Sequence, residues 1–370
     1  MKILQVIARV NRGGTARWLE ELIIGLRSDG HEVFLVAGHV QDGEIEDEVF
    51  EKLGGQRIES LGRSISIFSD LKALIEVRKF IVECKPDLVN THTAKAGLIG
   101  RLAAASILKD RPAIVHTYHG HLLYGYFSKW KSNIFKSIEK IMATTSDVLI
   151  AAGDKVKKDL LEAGIGDENL FIVLRPGIQE LDKLDKQTVR RELSIPDSKV
   201  VVGWLGRMTR IKRPDRAIEL AKFFPEVIFL LGGEGELLEE LKATSPTNVV
   251  FLGWTEPEII WSASDIALLT SDNEAQPISL IEASYSSLPI IAQNVGSVSE
   301  VVEDGKTGFL VSEFNGAVDA LEKLIGEREL RQTLGAAGRT YAQSRFSPDQ
   351  FISGHSKAYS MALQKKRHLG

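Results

Sequence analysis

From its second residue the chain repeats one pattern: a short β-branched apolar run, a polar break, then a segment whose apolar residues recur at helical spacing. The first half offers KILQVIA (2–8), EVFLVAG (32–38), DLVNTH (87–92), AIVHTYH (113–119), DVLIAAG (147–153) and LFIVLRPG (170–177). Between the first two lies TARWLEELIIGLRSDG (15–30), an amphipathic helical run with Gly30 as its stop. Runs this continuously apolar fit parallel strands covered on both faces. The second half repeats the scheme with VVGWLG (201–206), VIFLLGG (227–233), VVFLGW (249–254), IALLTS (266–271), PIIAQN (289–294) and GFLV (308–311). At 370 residues the chain exceeds one ordinary core. The pattern therefore predicts two doubly wound α/β domains in tandem, joined near RPGIQELDKL (175–184). Helical material follows over roughly 313–364, and the basic tail KKRHLG is expected to fray.

Bulk properties remove several function classes. A formal net charge of -4 argues against a general nucleic-acid binder. Cys84 is the only cysteine, so no internal disulfide can form and a reducing compartment is the natural home. The start, MKILQVIARV, lacks a cleavable signal pattern, and no segment reaches the ~18 uninterrupted apolar residues of a membrane span. A cytoplasmic location is expected.

The stretch SDNEAQPISLIEASYSSLP (271–289) carries the most chemistry. In open α/β sheets, ligands sit where strands end and helices begin. Here a strand ends, Glu274 sits in the loop, and Pro277 suits the first helical position, where its missing N–H costs nothing. The amides of residues about 276–280 would then converge on one spot that attracts an anion such as a phosphate. Glu282, further into the helix, could accept hydrogen bonds from two vicinal hydroxyls. Glu274 would lie on the other side of the anion. Together they describe a diphosphate between two hydroxyl-rich rings. A plainer reading stays open, with Glu274 a solvated loop acid and Glu282 a surface helix position.

LGRMTRIKRP (205–214) puts Arg207, Arg210, Lys212 and Arg213 in one strand-to-helix loop, able to neutralise a diphosphate. A merely solvated basic loop is equally open. GGEGELLEEL (232–241) is a glycine-rich turn that fails the dinucleotide fingerprint, since no third glycine opens the helix. We read it as structural. FLGW (251–254) could hold a flat base on Trp254, although a core tryptophan is the commoner explanation. His92, His116, His119 and His121 invite a metal reading. His116 and His119 do not share a strand face, and no cysteine or acidic cluster completes a ligand set, so no metal site is expected.

The order LGRMTRIKRPDRAIELA, LLGGEGELLEELKA, VVFLGWTEPEIIWSASDIALLTSDNEAQPISLIEAS and GSVSEVVEDGKTGFLV resembles the carboxyl-terminal half of retaining glycosyltransferases of family 4, with the GT-B fold. Glu274 and Glu282 form that family's E-x7-E motif. In the first half, NRGGTARWLEELIIGLRSDGHEVFLVAG resembles the family's glycine loop and first helix. NTHTAKAGLIGRLAA and VHTYHGHLLYGYFSKWKS resemble segments of bacterial cell-surface polysaccharide and lipid-linked glycan enzymes. The resemblance implies an acceptor-binding domain over 1–178, a donor domain over 179–351, and a final helix over about 352–370 that packs back on the first. The two Rossmann-like domains would face each other across a cleft. It further implies that Arg207 and Lys212 grip the nucleotide diphosphate, that Glu282 holds the ribose and that Glu274 holds the donor sugar. Backbone amides near Pro277, Ile278 and Ser279 would meet the distal phosphate, with Gly206, Gly253 and Trp254 beside the nucleotide. Gly13 and Gly14 would let the first domain's backbone approach the diphosphate, and His119 would lie against the sugar. Two departures stand out: Ala275 and Gln276 follow the first glutamate, where the family often has glycine, and Tyr285–Leu288 replace its small residues.

The reaction implied is transfer of a hexose or N-acetylhexosamine from a nucleotide diphosphate sugar, UDP-linked by resemblance, to a hydroxyl of a glycan or lipid-linked acceptor. A retaining glycosidase would need two carboxylates about 5 Å apart on one bond. With Glu282 committed to ribose, Glu274 lacks such a partner. Front-face attack, with a diphosphate oxygen taking the acceptor's proton and no metal or other cofactor, is expected. A nucleotide-sugar 2-epimerase and a non-catalytic nucleotide-sugar-binding subunit are the alternatives. Finally, YGYFSKWKSNIFKSIEKIMA (124–143) interleaves Phe127, Trp130, Ile134, Ile138 and Ile141 with lysines. It reads either as a core-facing helix or as a contact with an anionic membrane.

Overall fold

The computed structural model describes residues 1–41, 43–62, 66–120 and 129–369. Its contacts divide into two compact units, Met1–Gly177 with Pro348–Gly370, and Ile178–Ser347. The first holds β1 (Lys2–Ile7), β2 (Glu32–Ala37), β3 (Gln56–Arg57), β4 (Leu88–His92), β5 (Ala113–Tyr118), β6 (Val148–Ala151) and β7 (Phe171–Val173). They form one parallel sheet in the order β3-β2-β1-β4-β5-β6-β7. The second unit holds β8 (Val201–Leu205), β9 (Ile228–Gly232), β10 (Val249–Gly253), β11 (Ile266–Leu269), β12 (Ile290–Gln293) and β13 (Gly308–Val311). Its parallel order is β10-β9-β8-β11-β12-β13. Both are doubly wound Rossmann-like sheets whose order reverses beside the first strand of the unit, so the fold expected from the alternating pattern is the fold observed. The two-residue β3 was not foreseen, because it has no apolar run.

Each sheet is buried on both faces, as its composition requires. Along β1, Ile3 and Ile7 enter one core and Leu4 and Val6 the other, all fully buried. In β8, Val201 enters one core and Val202 and Trp204 the other. Burial at about 25 cal/mol per Å2 of apolar surface makes these strand faces the main stabilising element of each unit. Gln5 interrupts the apolar face of β1 between Ile3 and Ile7, and is itself fully buried.

The helix Pro348–Leu369 belongs to the first unit and runs through the tail that was expected to fray. It lays Phe351, Ala358, Tyr359 and Ala362 into that unit's core. Helix Lys129–Thr144 departs from either simple expectation. Its inward face carries Glu139, paired with the fully buried Arg101 at 2.9 Å. Ile134 and Ile141 stand more than half exposed. The core-facing reading therefore fails for these two. Tyr126 and Phe127 lie outside the described residues. Among those residues, no helix is long and apolar enough to cross a membrane.

Candidate functional site

The order of the second sheet reverses between β8 and β11. The loops leaving these two strands are therefore neighbours, and a doubly wound sheet binds its ligands at such a point. The β8 loop brings Lys212 and the β11 loop brings Glu274. Lys212 Nζ donates to Glu274 Oε1 at 2.5 Å, and the hydroxyl of Ser271 donates to the same oxygen at 2.7 Å. Glu274 is nearly buried, so the solvated-acid alternative is excluded. Its backbone is held as tightly as its side chain, because its carbonyl accepts the amide of Ser297 at 3.1 Å. Gly296 permits that approach: its φ is +53°, and a Cβ there would stand 1.8 Å from the Glu274 carbonyl oxygen.

The helix Ile278–Tyr285 starts immediately beyond. Pro277 is its N-cap, one position earlier than expected, because its ψ of 94° is extended. The predicted cluster of free amides is correspondingly smaller. The Leu280 and Ile281 amides are already spent on the Pro277 carbonyl, at 3.0 and 3.3 Å. Ile278 and Ser279 precede the first helical hydrogen bond, so of the expected cluster only their amides remain to meet an anion. No acidic side chain occupies the first turn to compete with an anion there. Glu282 lies in the body of this helix and is buried, which excludes the surface-position alternative.

The basic loop separates into two roles. Arg207 and Arg210 are exposed. Arg213 sits at φ +51° as the N-cap of the next helix and is clamped to Asp215 at 2.7 Å and to Asp272. The hydrogen bond to Asp215 holds its pKa well above the usual arginine value. Arg213 is thus a structural brace and is unavailable to an anion, a correction to its reading as one of four free cations. Gly206 and Met208 are braced from the glycine-rich turn: Gly206 donates to the Gly232 carbonyl at 3.0 Å and Met208 to the Glu234 carbonyl at 2.8 Å. At Gly233, with φ +126°, a Cβ would lie 1.9 Å from the Gly206 carbonyl oxygen. The structural reading of that turn is the observed one. Trp254 follows β10, an edge strand two places from β8, and is half-exposed rather than in the core. The Gly253 carbonyl accepts the Gly233 amide at 2.6 Å. Gln276, one of the departures, donates to Glu300 at 3.3 Å through Nε2. Its Oε1 is buried with no hydrogen-bond partner among the described residues.

In the first unit the order reverses between β1 and β4. The glycine loop after β1 ends at Gly13, with φ +140° and open space where a Cβ would be, and Gly14 begins the next helix. At the ends of β4 and β5, His92 Nδ1 and His119 Nε2 are 2.8 Å apart. Their rings stack at 5.0 Å between centroids, and the Trp18 ring meets His119 edge-on at 4.9 Å. Burial, followed by the neighbouring His355, brings the pKa of His119 down to about 3. Burial, then His119, lowers that of His92 well below the usual value. Both shifts favour the neutral imidazole at neutral pH. Sequence reasoning weighed His92 and His119 only as metal ligands or separate residues and did not foresee this pair. His116 is separate, hydrogen-bonded to Thr91 Oγ1 at 2.8 Å. His121 lies outside the described residues. No group of three metal-ligating side chains is assembled among those residues.

This arrangement can hold an anion at the Ile278–Ser279 amides beside a lysine and a carboxylate. Residues 12–178 match glycosyltransferase family 4, and residues 185–341 match the glycosyl transferases group 1. The chain is 27% identical over 311 residues to a UDP-Gal:alpha-D-GlcNAc-diphosphoundecaprenol alpha-1,3-galactosyltransferase of Escherichia coli, covering 78% of this chain and 79% of that one. It is 29% identical over 304 residues to the capsular polysaccharide biosynthesis glycosyltransferase CapM of Staphylococcus aureus, covering 77% and 79%. Among solved structures, Anabaena Alr3699/HepE in complex with UDP and glucose superposes with a TM-score of 0.81 over 97% of this chain and 99% of that one, at 20% identity.

Proposed function

We propose that this chain, which belongs to the family-4-like glycosyltransferases of the GT-B type, moves a hexose or N-acetylhexosamine from a UDP-sugar to a hydroxyl of a glycan or lipid-linked acceptor, with retention at the anomeric carbon. The single observation that carries the reading is the junction of Lys212, Glu274 and the Ile278–Ser279 amides at the reversal point of the second sheet. A nucleotide diphosphate is the ligand that uses all three: the amides and Lys212 hold its charge, and Glu274 accepts from the sugar's hydroxyls. Glu282 is proposed to hold the ribose and His119 a hydroxyl of the transferred sugar. Support for UDP comes from the similarity to the Escherichia coli UDP-Gal-dependent galactosyltransferase and to HepE in complex with UDP and glucose.

The step follows from charge. The bond from the anomeric carbon to the diphosphate breaks, and the acceptor oxygen bonds to that carbon on the same face. The acceptor's proton passes to an oxygen of the departing diphosphate. Arg207, Lys212 and the two amides stabilise the charge growing on that group, the kind of electrostatic assistance that dominates many enzyme rate enhancements. These residues supply the countercharge without a metal in this proposal.

Contact with an anionic membrane surface completes the reading. Helix Ile67–Cys84 exposes Ile67, Phe68, Leu71 and Ile75, with Phe68 at 89%. It and helix Lys129–Thr144, with exposed Ile134 and Ile141, both pack against helix Ala94–Ala105. Exposed Lys72, Lys79 and Lys140 accompany these apolar side chains, the mixture that suits a headgroup layer. A lipid-linked acceptor would then be met at the surface that carries it, on the cytoplasmic side. The test is thermal-shift screening against nucleoside diphosphates and nucleotide sugars, followed by product analysis with the best donor and a diphosphoundecaprenol-linked sugar. Selective stabilisation by one UDP-sugar, and a product with the donor's anomeric configuration, is the expected result. An inverted product, or release of an epimerised free nucleotide sugar, contradicts it.

A further inference from the structure

We infer that a buried polar relay running from the final helix to His119 fixes the tautomer of that histidine, leaving its Nδ1 as a hydrogen-bond acceptor that selects a hydroxyl donor. This rests on the proposed role of His119 towards the transferred sugar. The relay begins at Tyr359, whose hydroxyl lies 2.9 Å from Asn90 Nδ2 and 3.2 Å from Gln5 Nε2. Gln5 and Asn90 are register partners on β1 and β4, so their side chains share one face of the sheet. Asn90 Nδ2 donates to Gln5 Oε1 at 3.0 Å, and Asn90 Oδ1 accepts from the Thr117 hydroxyl at 3.0 Å. His92 Nε2 stands 2.8 Å from Gln5 Oε1, and His92 Nδ1 stands 2.8 Å from His119 Nε2.

With the Gln5 and Asn90 amides oriented as the structure places them, counting hydrogens gives the direction. An asparagine amide has two, and the Tyr359 hydroxyl and Gln5 Oε1 take both at 2.9 and 3.0 Å. None is left for His92 Nε2, which lies further off, at 3.2 Å. If His92 Nε2 were unprotonated, it would face the Gln5 carbonyl oxygen at 2.8 Å with lone pair against lone pair. It therefore carries the proton and donates to Gln5 Oε1. A neutral His92 then has an unprotonated Nδ1, which must accept, so His119 Nε2 carries the proton and donates inward. What remains to His119 is an unprotonated Nδ1. Gln5, Asn90 and Tyr359 act through His92 and are positioning residues, and the final helix thereby takes part in orienting the site.

The experiment is long-range 1H–15N correlation on the full-length protein carrying ring-15N histidine, with a His119→Gln spectrum for assignment. We expect Nδ1 of His119 in the unprotonated range and Nε2 in the protonated range at neutral pH. The reverse tautomer, or an even mixture, overturns the inference. Kinetics with the donor found by screening add a second readout. Gln5→Leu should lower kcat about tenfold and leave UDP affinity within twofold. Gln5→Glu, which keeps the acceptor oxygen, should recover most of the loss, and Tyr359→Phe should lower kcat by a smaller factor. Equal loss in Gln5→Leu and Gln5→Glu, or loss of UDP affinity alongside kcat, would mark a merely structural role and overturn the positioning claim. Because the tautomer is read without any substrate, the expected spectrum together with unaffected turnover in His119→Gln would leave the relay standing and sink the proposed role of His119.

Discussion

Lys212 and Glu274 come from loops 62 residues apart and meet at 2.5 Å, each countering the other's charge. In the proposed function a diphosphate beside them would draw Lys212 towards its charge and free Glu274 to accept from hydroxyls. Lys212→Ala should therefore lower kcat by about 10²–10³, the cost typical of one lost donor to a developing anion. Steady-state kinetics with a saturating donor would show it. A normal kcat would remove Lys212 from the step.

Glu282 is committed to binding in this account, since it lies well inside the helix and is buried. Glu282→Ala should weaken UDP about 10- to 100-fold, in line with the ~1.5–3 kcal/mol of a hydrogen bond to a charged group. Calorimetric titration with UDP measures this without an acceptor. Unchanged affinity would place the ribose elsewhere.

Gly296→Ala tests the loop carrying Glu274. A methyl group must displace the Glu274 carbonyl, and φ +53° adds backbone strain of about 1–3 kcal/mol. A lower melting temperature and a fall in kcat are both expected. A variant with native melting and native turnover would show that the Glu274 backbone is free to move.

Four histidines, the buried His92, His116 and His355 and the part-buried His119, have pKa values lowered first of all by desolvation, to about 3 for His119 and about 4 for His355. Unfolded histidines titrate near 6.5. Below that pH the unfolded chain binds more protons than the folded one, so stability is full above about pH 7 and declines as pH falls, by up to ~1.4 kcal/mol per pH unit for each histidine. Urea melts at about pH 7.5 and about pH 5 would reveal it. Equal stability at the two values would mean that these rings are not held neutral in the folded protein.

Phe68→Ser with Leu71→Ser should abolish co-sedimentation with vesicles containing anionic phospholipid. Both side chains are exposed, so melting temperature should change little. Wild-type co-sedimentation indifferent to anionic lipid content would remove the membrane contact.

The fold was legible because buried parallel strands favour apolar runs, and among the described residues every strand but β3 lies on one of the expected runs, with β4 (LVNTH) the most polar of them. Glu274, Lys212 and the start of the 278–285 helix were legible for a related reason: strand ends and a proline mark where loops deliver side chains. The contact between Lys212 and Glu274 was not, since it depends on the crossover that makes β8 and β11 neighbours. Nor was the loss of Arg213 to Asp215 and Asp272, because a free cation and a paired one look alike in a sequence. The relay behind His119 left a fainter signal, with Gln5 placing an amide in the apolar strand β1 and Asn90 a second in β4, both fully buried. Only register shows that they are partners. The exposed face of helix Ile67–Cys84 was hidden too, because an apolar stripe does not say which way it turns.

The most direct measurement is a crystal structure of the protein with UDP bound. The account predicts the diphosphate at the Ile278 and Ser279 amides with Lys212 turned towards it, and the ribose at Glu282. UDP bound away from these residues would contradict it.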